Sequence, residues 1–77
     1  MEKTINVKKC KDIYAGLRKR YKESGASNFM TWVNAAAQEL LDITWGLYDN
    51  SEITSAERFY ILGRLCEAAL NDAAEEE

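Results

Sequence analysis

No proline interrupts this chain of 77 residues, and its apolar residues recur every three or four positions along three long runs. A proline inside a helix deletes a backbone hydrogen bond and clashes with the preceding turn. Its absence, combined with a period of about 3.6 residues, points the chain to helices. The first run predicts a helix over 7–24, with Cys10, Ile13, Tyr14, Leu17 and Tyr21 on one face. Gly25, in "ESGAS", is placed to end it. The second run predicts a helix over 28–48 capped by Ser27, with Phe29, Val33, Ala36, Ala37, Leu40, Thr44, Leu47 and Tyr48 on one broad arc. Met30, Leu41 and Ile43 widen that arc, so this is the expected central helix. Trp32 and Trp45 fall on its opposite flanks.

The third run predicts a helix over 55–74. "TSAE" reads as a capping box, Thr54 being the N-cap and Glu57 the N3 residue that reaches back, with Ile53 stapled onto the first turn. The expected buried face is Phe59, Leu62, Leu65, Cys66, Ala69, Leu70 and Ala73. The closing acidic run "EEE" lies at the negative end of the helix dipole and is expected to fray, as is the short N-terminus.

Short connections favour antiparallel neighbours, so the expected fold is all-α: one domain over 1–77, built as an up-down-up three-helix bundle. In that arrangement Cys10 and Cys66 lie about 16 Å apart along parallel helices, too far to bond, and both read as buried free thiols. A core this small is marginal, which makes completion by dimerisation one expectation.

Absences narrow the chemistry. Without histidine there is no imidazole base or imidazole ligand, and two cysteines do not make an all-cysteine zinc site. The one calcium-loop-like stretch, "DNSEITSAERFY", has Thr54 where a turn glycine belongs and Tyr60 where a bidentate glutamate belongs. No P-loop or dinucleotide fingerprint is present. The serines read as caps or turn residues with no base beside them. The expectation is therefore a protein without metal, cofactor or catalysis. With neither a signal-peptide pattern nor a run of about 20 apolar residues, a cytoplasmic location and no membrane are expected.

Charge is the remaining guide. Residues 1–23 hold eight basic groups against three acidic ones, while residues 24–77 hold two against ten. Lys8, Lys11, Arg18, Lys19 and Lys22 form a positive strip opposite the apolar face of the first helix, flanked by Lys9 and Arg20. Such a strip suits a solvated face, a phosphate backbone or an acidic protein. The acidic remainder opposes nucleic acid. The expected function is thus a non-catalytic helical module binding another protein as an adaptor, regulator or inhibitor, of the kind carried by phages and mobile elements. The alternative is a nucleic-acid-binding regulator using the same strip. Expected contact residues are Lys8, Lys11, Arg18, Lys19, Lys22, Trp32, Trp45, Tyr60 and Arg64, since Tyr, Trp and Arg dominate binding hot spots.

Overall fold

In a computed structural model of the chain, which describes the backbone of residues 5–75 and side chains through residue 72, the described residues form four helices and no strand. They are α1 (Val7–Ser24), α2 (Phe29–Ala35), α3 (Ala37–Asp49) and α4 (Ser55–Glu75). Residues 1–4 and 76–77, and the side chains of Ala73, Ala74 and Glu75, lie outside the described residues, Ala73 of the expected buried face among them. Glu75, expected at the frayed end, is still helical.

Caps explain most boundaries. Asn6 accepts from the Lys9 N–H at 3.1 Å and starts α1. Gly25 ends it in the left-handed region, at φ 81°. Asn28, not Ser27, caps α2 by accepting from the Thr31 N–H at 2.8 Å. The shift of one residue frees the Phe29 N–H to donate to Asp72 Oδ2 at 2.8 Å, tying the start of α2 to the far end of α4. The capping box closes as the sequence implies: the Thr54 N–H donates to Glu57 Oε1 at 2.8 Å, and the Glu57 N–H donates to Thr54 Oγ1 at 3.1 Å.

The expected second helix is instead two, broken at Ala36, where φ −97° and ψ 9° depart from helical values. Ala36 still donates to the Trp32 carbonyl and its own carbonyl accepts from the Leu40 N–H, both at 2.8 Å. The break is therefore a bend between coupled segments. It falls in a run of three alanines, where no bulky side chain resists a change in ψ.

The central helix is α4, which packs against α1, α2 and α3. Because Asn6 bonds to Glu57 and Phe29 to Asp72, α1 and α4 start at the same end while α2 starts at the other. The core is Cys10, Leu17, Phe29, Trp32, Leu40, Ile53, Ile61, Leu65 and Ala69. Tyr21, Phe29 and Trp32 pack with ring centroids 5.0–5.9 Å apart and seal the α1–α2 turn. The predicted face of α1 holds: Cys10 and Leu17 are buried, and Ile13, Tyr14 and Tyr21 pack against the core.

The predicted face of α4 holds only in part: Leu65 and Ala69 are in the core as expected and Leu62 is half-buried, but the helix is turned away from the rest. Glu57, Ile61, Leu65 and Ala69 point inward, while Phe59, Cys66 and Leu70 are exposed. The physical reason lies at the N-terminus of the helix. Glu57 Oε2 accepts from the Asn6 N–H at 2.7 Å, and Lys9 Nζ lies 3.2 Å from Oε1. A carboxylate held by three partners points that edge of the helix at α1, and Ile61 and Leu65 follow at four-residue spacing.

Candidate interaction surface

Turning α4 this way leaves its more apolar stripe outside. Phe59 and Leu70 are each 62% exposed, and Leu62 and Cys66 lie between them along the helix. On α3, Ala37, Leu41 and Trp45 recur every four residues, with Leu41 42% and Trp45 53% exposed. The two rows flank a groove of about 190 Å³ lined by Val33, Ala37, Leu40, Leu41, Leu62, Leu65 and Cys66. A dry cavity of about 150 Å³ holds a benzene ring, so this groove has room for a large apolar side chain. From Phe59 to Leu70 the α4 row extends about 16 Å, or three helical turns.

The open end of the groove is aromatic. Trp45 packs on Tyr48 with ring centroids 5.4 Å apart. The Arg58 guanidinium lies 5.5 Å from the Trp45 ring and 5.8 Å from the Phe59 ring. It is held there by donating from Nε to Thr44 Oγ1 at 3.1 Å and from a terminal nitrogen to the Leu41 carbonyl at 3.3 Å. Thr44, fully buried, donates in turn to the Leu40 carbonyl at 2.9 Å.

The positive strip is thinner than its sequence suggests. Lys11, Lys19 and Lys22 are exposed, and Lys8 is exposed beside Asp12 at 3.5 Å. Arg18 is half-buried: its guanidinium sits 4.2 Å over the Phe29 ring and donates to Tyr14 Oη at 3.2 Å. Lys9 turns inward to Glu57 and the Glu52 carbonyl, and Arg20 pairs with Glu39 at 2.8 Å. Of the aromatic candidates, Trp32 belongs to the core and Tyr60 packs against it, leaving Trp45 exposed. Arg64 is exposed and pairs with Glu67 at 3.1 Å.

Two groups titrate away from their ordinary values. Burial pushes the Cys10 thiol up, the Glu57 carboxylate adds to this, and Lys9 partly opposes it. For Glu57, burial alone favours the neutral acid. The Asn6 and Thr54 N–H groups and the Lys9 ammonium more than offset that and hold the carboxyl below its usual range. Both groups serve the junction of α1 and α4. Neither lines the groove.

Sequence reasoning placed Leu41, Phe59, Leu62, Cys66 and Leu70 in the core. The capping box places Glu57 at the start of α4, but the edge that faces inward is set by Asn6, 51 residues away, and Lys9, which no local pattern announces. Among the described residues no helix is long and apolar enough to cross a membrane. No protein-family model, curated protein or solved structure matches this chain, so its functional reading rests on the geometry of this surface.

Proposed function

We propose that this protein is a non-catalytic interaction module that binds another protein through the α3–α4 face. The observation that carries this reading is the exposure of Leu41 and Trp45 on α3 and of Phe59 and Leu70 on α4, in the two rows that continue from the groove-lining Leu41, Leu62 and Cys66. Fully burying one such side chain is worth about 1.5–3 kcal/mol, and folding leaves much of that unclaimed at several adjacent positions. Contiguous apolar patches on a small monomer mark interaction sites far more often than scattered exposed residues do. The held Arg58 between two aromatic rings adds the residue types that anchor interfaces. The basic strip of α1 is the rival surface, and nucleic acid its rival ligand.

Affinity capture from lysate, with and without nuclease, separates the two. The expected result is a stoichiometric protein that survives nuclease and is captured by the Lys19→Glu/Lys22→Glu variant. It should be lost with Phe59→Asp/Leu70→Asp. Capture that vanishes with nuclease, or with the lysine variant alone, would move function to α1.

A further inference from the structure

We infer that the occupant of the α3–α4 groove is a basic amphipathic helix of another protein, with apolar anchors at i, i+3 or i+4, and i+7 and lysines or arginines on its flanks. This rests on the reading of the groove as an interface and adds the chemistry of the partner. Length comes first. The α4 row spans three turns, enough for one face of a helix to lay successive anchors between the rows. The polar atoms of the groove's own backbone are already engaged in helices, so an extended peptide would find no free edge to pair with.

Charge comes second. On α3, Asp42 and Asp49 follow the exposed row on its outer side, with Gln38 donating to Asp42 Oδ1 at 3.1 Å. On α4, Glu67 lies on the other side, with Tyr14 of α1 and paired with Arg64, so the acidic border of the groove is that of α3. Of the seven acidic groups in residues 28–72, Glu57 is buried at the α1 junction, Glu39 pairs with Arg20, Glu67 pairs with Arg64 and Asp72 accepts from the Phe29 N–H, so Asp42 and Asp49 set the charge beside the groove. Arg58 is committed within the groove mouth, and Arg64 is paired with Glu67. An apolar trough with an acidic border on α3 selects for a helix whose flank there is positive and against one whose flank is negative.

A second copy of this chain fits poorly. Its basic helix α1 has its apolar face in its own core, through Cys10 and Leu17, and its outer face is mostly charged, with Val7 the one large apolar side chain exposed among its described residues. Two grooves placed face to face would crowd Asp42 and Asp49 of both copies around one apolar contact.

Model peptides test this without knowing the partner. The probe is a tryptophan-free leucine–lysine peptide about four turns long, with leucines at the anchor spacing. It is compared with the same peptide carrying glutamate for lysine, and with a scrambled leucine–lysine peptide of equal charge. Binding is read from peptide anisotropy and from the fluorescence of Trp45, whose exposure contrasts with buried Trp32. The leucine–lysine peptide should bind at least about tenfold more tightly than either control and shift the Trp45 emission to the blue. Phe59→Asp should weaken it by a similar factor, and Asp42→Lys/Asp49→Lys should reverse the preference between lysine and glutamate flanks.

Equal binding of the lysine and glutamate peptides, both lost in Phe59→Asp, would overturn the basic partner while leaving the groove as an interface. Unchanged peptide binding by Phe59→Asp would overturn the groove itself. Binding of neither peptide, or a concentration-dependent dimer dissolved by Phe59→Asp in sedimentation velocity, would equally overturn the inference.

Discussion

Replacing Glu57 by glutamine changes one buried carboxylate and should cost far more than its conservative size suggests. Glu57 is 1% exposed and accepts from two backbone N–H groups, those of Asn6 at 2.7 Å and Thr54 at 2.8 Å, with Lys9 Nζ at 3.2 Å. A glutamine keeps one oxygen and turns an NH₂ group toward the other donor. One buried N–H is then left facing another donor, at about 1–3 kcal/mol. The bond that survives loses its charge assistance, about 1 kcal/mol more. Lys9 is partly exposed and also donates to the Glu52 carbonyl at 2.8 Å, so its share is small. The sum is about 2–4 kcal/mol, or roughly 10–25 °C in melting temperature for a domain this small.

Urea unfolding followed by far-UV circular dichroism measures it, with Lys9→Met as a control expected within about 1 kcal/mol of wild type. The pH dependence gives an independent check. The folded carboxyl lies below its usual range, so as pH falls the unfolded chain takes up the proton first. This stabilisation is complete above the ordinary glutamate pKa and is lost as pH falls through that value toward the folded one. The glutamine variant should lack this part of the acid slope. If it unfolds within about 0.5 kcal/mol of wild type and keeps the same slope, the clamp between α1 and α4 contributes nothing and the reasoning fails.

Three further outcomes test the fold. Ile61→Ala should destabilise by about 2–5 kcal/mol, whereas Phe59→Ser, removing a larger side chain, should change urea stability by less than about 1 kcal/mol. The reverse order would mean that α4 is turned the other way. One thiol, Cys66, should react rapidly with a disulfide reagent in the native state, and Cys10 only on unfolding, because it is buried with its pKa raised; two fast thiols would contradict the packing of α1. Gly25→Ala, at φ 81° with nothing within 4 Å of the added methyl, should cost about 1 kcal/mol in thermal melts from backbone strain alone. An unchanged melting temperature would remove that residue from the left-handed region.

The elements with local chemistry were legible in the sequence. Gly25 ends α1, Thr54 and Glu57 begin α4, and the α1 stripe from Cys10 to Tyr21 packs as its period implies. What was not legible depended on partners distant in sequence. Ser27 and Asn28 are both good caps, and the choice falls to Asn28, which lets Phe29 reach Asp72, 43 residues away. Nothing in Ala35-Ala36-Ala37 announces a bend: the run holds neither Gly nor Pro, and no side chain caps α3 at Ala36. The interaction face was hidden for a related reason. Hydrophobicity ranks Phe59, Leu62 and Leu70 above Glu57, Tyr60 and Ala68, and a rule that buries the most apolar stripe chooses wrongly here. The positive strip was visible, but the inward turns of Lys9 and Arg18 and the surface pairing of Arg20 with Glu39 were not, since each is drawn by a group on another element or in a neighbouring loop.

The two stripes of α4 also shape the folding landscape. A helix rotated by roughly 120° would bury Phe59, Leu62, Cys66 and Leu70, and hydrophobic collapse alone supplies no reason to refuse it. The native rotation is selected by directional bonds that such a turn would break: Asn6 and Lys9 on Glu57, Phe29 on Asp72, and Arg58 on Thr44 and Leu41. Each is worth little in net stability. Together they separate one native basin from a competitor of similar greasiness, so in this chain the polar groups carry uniqueness while the apolar ones carry compaction.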